Sequence, residues 1–175
     1  FRPYVVRFGE DLEAIARRMG TTTAVLRREN ELAEGGRVAP GFAIVVPDVD
    51  ESPHPGERAV DYVGRIAAAK VQAVAAPPDA LVIAADTTVE IDGDILVKPA
   101  DNADAAGMLR RLSARTHQVH TGVALRRGAD HADEVVTSLV TFSPLTPAMI
   151  EWYVATGEPL DKAGAYALQG AGGAF

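Results

Sequence analysis

The sequence contains no cysteine. Disulfides, thiolate zinc sites and cysteine nucleophiles are therefore excluded, and the redox compartment stays open. It also lacks any apolar run near the roughly 18–20 residues that a bilayer-spanning helix needs, so no membrane partner is expected. A surplus of positive charge is missing too: 17 Lys and Arg stand against 24 Asp and Glu, a net of −7. Long-range repulsion then opposes binding to a nucleic acid polymer, while a small phosphate ligand needs only a local cluster of cations. No charged segment leading into an apolar stretch follows Phe1. No signal peptide is visible, and cytoplasmic residence is the default expectation. What is present is a chain of 175 residues, 47% hydrophobic and 23% charged. That composition is globular, and the length suits one medium domain or two small ones.

The charges divide unevenly. Residues 1–47 carry seven Arg, no Lys and six acidic residues, a net of +1. Residues 48–175 carry ten basic and 18 acidic residues, a net of −8. The step falls at Pro47-Asp48, just after the apolar run Phe42-Ala-Ile-Val-Val46. A composition step beside a proline is a candidate domain boundary, and no long Gly/Ser linker separates the halves.

In the first half, Tyr4-Val-Val-Arg7 reads as a short strand. Asp11 is placed to cap a helix carrying Leu12, Ile15, Ala16 and Met19, which Gly20 stops. Thr21-Thr-Thr23 caps a second helix with Val25 and Leu26, and Pro40-Gly41 turns into a closing strand over 43–46. The expected unit is β-α-α-β. Its residues Tyr4-Val-Val-x-x-Gly-Glu-x-Leu, Ile15-Ala16, Gly20, Leu26, Asn30, Leu32 and Pro40-Gly-x-x-Ile-Val-Val-Pro47 resemble a LysM module. That resemblance implies binding of N-acetylglucosamine glycans such as peptidoglycan or chitin. Most of the matching positions are core or turn positions, which also build a scaffold with no site.

The second half opens with the acidic cluster Asp48-Val-Asp-Glu51. Apolar residues at helical spacing over 59–76 predict a helix that contains Lys70 and ends before Pro77-Pro78. The continuous run Leu81-Val-Ile-Ala-Ala85 predicts a strand buried on both faces, delivering Asp86-Thr-Thr88 at its C-terminal end. A second strand, 89–91, turns through Asp92-Gly93 into Ile95-Leu-Val97, and Lys98-Pro99 follows. Asp101 or Asn102 caps a helix with Ala105, Met108, Leu109 and Leu112. Residues 118–125 and 135–142 read as paired strands, 147–156 as a short helix, and 161–170 as a Gly-rich tail.

Asp86 is the sharpest polar residue, because a carboxylate ending an apolar strand is costly to bury alone. Read singly, Glu51 is a solvated acid, Lys70 and Lys98 are surface lysines, and Gln169 is a loop amide. Together they suit a divalent cation and a polyphosphate.

The same residues lie in stretches that resemble the Maf family of nucleoside triphosphate pyrophosphatases. Those stretches are Asp48-Val-Asp-Glu51, Tyr62-Val-x-Arg-Ile-Ala-x-x-Lys70, Ala85-Asp-Thr-Thr-Val89 and Asp92-Gly-x-Ile-Leu-x-Lys98-Pro99-Ala-Asp101. They continue through Met108-Leu-x-x-Leu-Ser-x-Arg-Thr-His117, Thr121-Gly122 and Thr156-Gly-Glu-Pro-Leu-Asp-Lys-Ala-Gly-Ala-Tyr-x-Leu-Gln-Gly170. The resemblance implies an α/β fold, a Maf-like mixed α/β sheet domain at 48–175 behind the small LysM-like module at 1–47. It implies hydrolysis of dTTP or UTP to the monophosphate and pyrophosphate, a homodimer, and a Mg²⁺ or Mn²⁺ cofactor held by Glu51 and Asp86. By position, Asp86 is the general base with Glu51 assisting, Lys70 and Lys98 neutralise phosphate charge, and Thr87 and Gln169 read the base.

The sequence departs from the family pattern at both ends. Residues 1–47 hold no Ser-x-Ser-Pro-Arg-Arg loop, and no Asn-Val-Val-Gly-Leu-Pro-like motif follows the Gly-rich tail. Without the family's first strand, a neighbouring strand is expected to show an open edge. The alternative reading is a glycan-binding LysM protein carrying an inactive Maf-like remnant.

Overall fold

The computed structural model describes residues 4–5, 11–29, 43–44 and 48–175. The chain divides into two compact units, Phe1–Asp48 and Val49–Phe175.

In the first unit, β1 (Tyr4–Val5), α1 (Leu12–Met19), α2 (Thr23–Glu29) and β2 (Ala43–Ile44) follow in the predicted order. β1 and β2 pair antiparallel, Tyr4 opposite Ile44. Asp11 caps α1 by accepting from the Ala14 N–H at 2.7 Å, and Thr22 accepts from the Val25 N–H at the start of α2. Leu12, Ile15, Ala16 and Leu26 are buried. The predicted strand positions Val6, Arg7, Val45 and Val46 lie outside the described residues, as do the motif residues Asn30, Leu32, Pro40, Gly41 and Pro47.

The second unit contains α3 (Ala59–Ala73), β3 (Leu81–Ile91), β4 (Asp94–Leu96) and α4 (Asn102–Leu112). β5 (Thr116–Arg127), β6 (Asp130–Thr141) and α5 (Pro147–Ala155) follow, then three short 3₁₀ turns at Glu158–Asp161, Ala163–Ala165 and Ala171–Ala174. The strands form one sheet in the order β4-β3-β5-β6, and every ladder in it is antiparallel. The predicted mixture of helix and sheet is present, built on antiparallel pairing. Asp92 and Gly93 both have positive φ, 58° and 83°, the geometry that lets a two-residue turn join twisted strands. Asp101 caps α4 through the Asp104 N–H.

The structure departs from the sequence pattern in two ways along β3. The stretches 81–85 and 89–91 are one continuous strand, so Asp86 stands in its middle and not at a C-terminal end. Nor is β3 buried on both faces: Val82 is 9% exposed while Leu81 and Ile83 are 56% and 55% exposed. The reason is coverage. The face of Val82, Ala84, Asp86 and Thr88 packs under α3 through Ala67 and Val71. The other face is covered only toward Val89 and Ile91, where α4, α5 and the tail supply Leu109, Leu112, Tyr153 and Tyr166. β4 pairs β3 over 89–91 alone, so among the described residues no strand lies along the 81–88 edge opposite β5.

Candidate active site

α3 buries Ala59, Tyr62, Val63, Ile66, Ala67 and Val71, a stripe at three- and four-residue spacing. Lys70 shares the side of the helix turned to the sheet, one turn beyond Ile66 and Ala67. The helix lies close. A Cβ built on Gly122 would stand 2.6 Å from the Val63 carbonyl oxygen, so only glycine lets the α3 backbone rest on the sheet there. Gly122 is the cross-strand partner of Asp86, and the same approach brings the Lys70 ammonium to that carboxylate. Lys70 Nζ lies 2.8 Å from Asp86 Oδ1 and 2.9 Å from Glu51 Oε1.

Glu51 comes from the loop before α3, which side chains of α3 hold in place. The Tyr62 hydroxyl donates to the Glu51 carbonyl at 2.8 Å. Arg65 grips the Glu57 carboxylate with Nε and Nη2 at 2.6 and 2.7 Å and reaches the Ser52 carbonyl at 3.1 Å. Glu57 is held down to about 2, first by its hydrogen bonds to Arg65. Burial pushes the Tyr62 hydroxyl up to about 12, so it stays protonated and donating.

Burial is the largest influence on both members of the central pair. It raises Asp86 above the ordinary carboxylate range, and Lys70, though it opposes that rise, does not cancel it. For Lys70 burial works against the ammonium, but the two carboxylates outweigh it and its pKa is raised. The pair is thus a charged Lys70 between two acids, one of them a stronger base than a solvated aspartate.

A pocket of about 340 Å³ opens beside this pair, lined by Glu51, Asp86, Thr87, Thr88, Lys98 and Ala163 among others. Lys98 is exposed just after β4 and makes no ion pair among the described residues. Strand alternation turns the Thr87 side chain to the face opposite Asp86, where its hydroxyl meets Thr121 Oγ1 at 3.0 Å. Gln169 sits exposed in the turn after Tyr166 and does not line this pocket. The structure therefore brings together Glu51, Lys70, Asp86 and Lys98, turns the Thr87 side chain to the opposite face of the strand, and leaves Gln169 apart. Tyr62, Arg65 and Thr88 carry parts of the site that the sequence reading did not assign. The signal for Tyr62 was its place eight residues before Lys70 in the same predicted helix, and that for Thr88 was its same-face position two residues after Asp86; Arg65 carried none beyond lying in that helix.

No group of three His, Cys, Asp or Glu side chains converges among the described residues as a ready metal cage. The two carboxylates still fit a hard divalent cation of the kind that takes its remaining oxygens from phosphates and water. Nor is any helix among the described residues long and apolar enough to cross a membrane.

The family model described as Maf-like protein matches residues 24–175. That match begins inside the stretch read as LysM-like. The chain is 55% identical over 133 residues to a protein of Anaeromyxobacter sp. (strain Fw109-5) named dTTP/UTP pyrophosphatase, covering 73% of this chain and 63% of that protein. It is 52% identical over 133 residues to the dTTP/UTP pyrophosphatase of Myxococcus xanthus (strain DK1622), covering 75% and 67%. It is 50% identical over 136 residues to the one of Salmonella typhimurium (strain LT2), covering 77% and 69%. The alignment thus spans less than two thirds of the Anaeromyxobacter protein.

Proposed function

The chain belongs to the Maf family, and we propose that its second unit hydrolyses dTTP and UTP to the monophosphate and pyrophosphate. The observation that carries this reading is the Lys70 ammonium held between Glu51 and Asp86, two acids that line one pocket together with Lys98. The names of the relatives support the choice of pyrimidine substrates.

In this mechanism Asp86 takes a proton from a water that attacks the α-phosphorus. The new oxygen–phosphorus bond forms as the bond to the oxygen bridging α and β phosphates breaks, and pyrophosphate leaves. Burial suits Asp86 to the task, since a raised pKa makes it the better proton acceptor. Lys98, exposed and facing the pocket, meets phosphate charge. Lys70 keeps the two acids at a fixed spacing and offsets their repulsion of a polyanion. Glu51 and Asp86 would hold a Mg²⁺ or Mn²⁺ ion, which supplies neutralisation of phosphate charge. Thr87 and Gln169 remain the proposed readers of the base.

The deciding assay is pyrophosphate release from dTTP, UTP, CTP and GTP with Mg²⁺, parent against Asp86→Asn. Selective release from dTTP and UTP that the variant loses supports the reading. A folded parent that releases nothing overturns it. The same reading expects a homodimer, checked by sedimentation, and work in the cytoplasm, where nucleoside triphosphates are made.

For the first unit the proposal is a LysM-like module that binds N-acetylglucosamine oligomers. Its support is the β-α-α-β order closed by the Tyr4–Ile44 register. Calorimetric titration of the full chain with chitin oligomers tests it, and an absence of heat rejects it.

A further inference from the structure

Thr88 stands two residues beyond Asp86 on β3, on the same face and only 1% exposed. Its hydroxyl has no hydrogen-bond partner among the described residues. The polar neighbours are already committed. Lys70 donates to Asp86 and Glu51. His120, directly across the ladder from Thr88, directs Nδ1 to Thr137 Oγ1 at 2.8 Å and Nε2 to Glu90 Oε2 at 3.1 Å. A buried hydroxyl left without a partner costs about 1–3 kcal/mol, and a valine of the same shape would avoid that cost. Thr88 is, however, part of the pocket wall, next to Asp86.

The Asp86 and Thr88 side chains leave β3 on the same face as successive neighbours, both at the wall of the pocket. We propose, on the basis of the pyrophosphatase reading above, that Thr88 orients the hydrolytic water. The water donates one proton toward the Asp86 carboxylate and the other to Thr88 Oγ1, which leaves an oxygen lone pair for the α-phosphorus. As the oxygen–phosphorus bond forms, the first proton passes to Asp86 and the bond to pyrophosphate breaks. Thr88 gains and loses no proton. Its contribution is orientation, which acts on the chemical step and not on substrate affinity.

The test compares parent, Thr88→Val and Thr88→Ser in steady-state pyrophosphate release from dTTP with Mg²⁺, with thermal melts of each without nucleotide. Thr88→Val is expected to lose at least tenfold in kcat with KM within twofold, while Thr88→Ser stays within threefold of the parent in kcat. The melting temperature of Thr88→Val should equal or exceed the parent's, because no hydrogen bond of the fold is lost. Unchanged kcat in Thr88→Val overturns the inference, and so does a serine variant as impaired as the valine one. A clear drop in melting temperature also overturns it, since the hydroxyl would then be serving the fold. An inactive parent rejects the pyrophosphatase reading itself, a result distinct from an active parent that tolerates valine.

Discussion

Gly122 lies directly across the β3–β5 ladder from Asp86, and the place its side chain would take is filled by the carbonyl oxygen of Val63, 2.6 Å from a built Cβ. The contact is backbone against backbone, so a methyl group cannot be relieved by a rotamer change. Gly122→Ala must lift α3 from the sheet, at a cost of roughly 1–3 kcal/mol. Lys70 rides on α3, so the ammonium withdraws from Asp86. Both the melting temperature and pyrophosphate release are expected to fall, release by at least tenfold. A variant with parental activity would show that the Lys70–Asp86 contact does not depend on this close approach.

Lys70 answers two acids at once. Lys70→Met leaves Glu51 and Asp86 facing each other without the cation, and Asp86, at 8% exposure, has little water to replace it. The single variant should lose most activity and melt at a lower temperature. Adding Asp86→Asn removes one of the repelling charges, so the double variant should melt above Lys70→Met. Purely additive losses would mean that the three charges do not act as a unit.

How far the sequence revealed this site depends on which contacts are local. Asp92-Gly93 was legible because its turn depends on two backbone conformations that Asp and Gly favour. Asp86 stood out as a carboxylate beside an apolar run, and Lys70 as a cation in a helix read from spacing. The apolar run itself misled: continuous hydrophobicity over 81–85 implied two covered faces, yet α3 covers one and Leu81 and Ile83 face outward. Gly122 carried no mark of its place in the site, and Thr88 none beyond its same-face position after Asp86. The first matters only because α3, far away in the sequence, approaches through Val63, and the second only because His120 and Lys70 have spent their hydrogen bonds elsewhere. Gln169, assigned to the base by resemblance, sits outside the pocket that gathers the charged residues.

His117 provides a pH test of the fold that is separate from the site. It is 2% exposed on the face away from α3, with Nε2 2.7 Å from the Tyr166 hydroxyl and its ring edge-on to Phe142. Burial lowers its pKa below the ordinary histidine value. The folded state therefore favours neutral imidazole, whereas the unfolded chain takes up a proton near pH 6.5. Stability from this group is complete above about pH 6.5 and declines as the pH falls toward the lowered folded value, at up to about 1.4 kcal/mol per pH unit. Melts of His117→Gln between pH 7.5 and 5 should lack this part of the slope. Parallel curves for parent and variant would assign the acid sensitivity elsewhere.

β3 is left uncovered over part of its length. Along 81–88 its edge opposite β5 has no strand beside it among the described residues, and Leu81, Ile83 and Val136 stand more than half exposed on the adjoining face. An open edge with apolar side chains templates pairing with another chain, and a charged side chain at such an edge opposes it. Ile83→Lys places an ammonium there while pointing away from the face that carries Asp86 and α3. Sedimentation velocity at rising protein concentration should show the parent forming larger species at concentrations several-fold lower than the variant. Because Ile83 packs little, the melting temperature should change by no more than about 0.5 kcal/mol would produce, and pyrophosphate release should match the parent. Equal self-association of the two proteins would mean that this edge is not what draws chains together. Lost activity in Ile83→Lys would mean that the two faces of β3 are coupled through the strand.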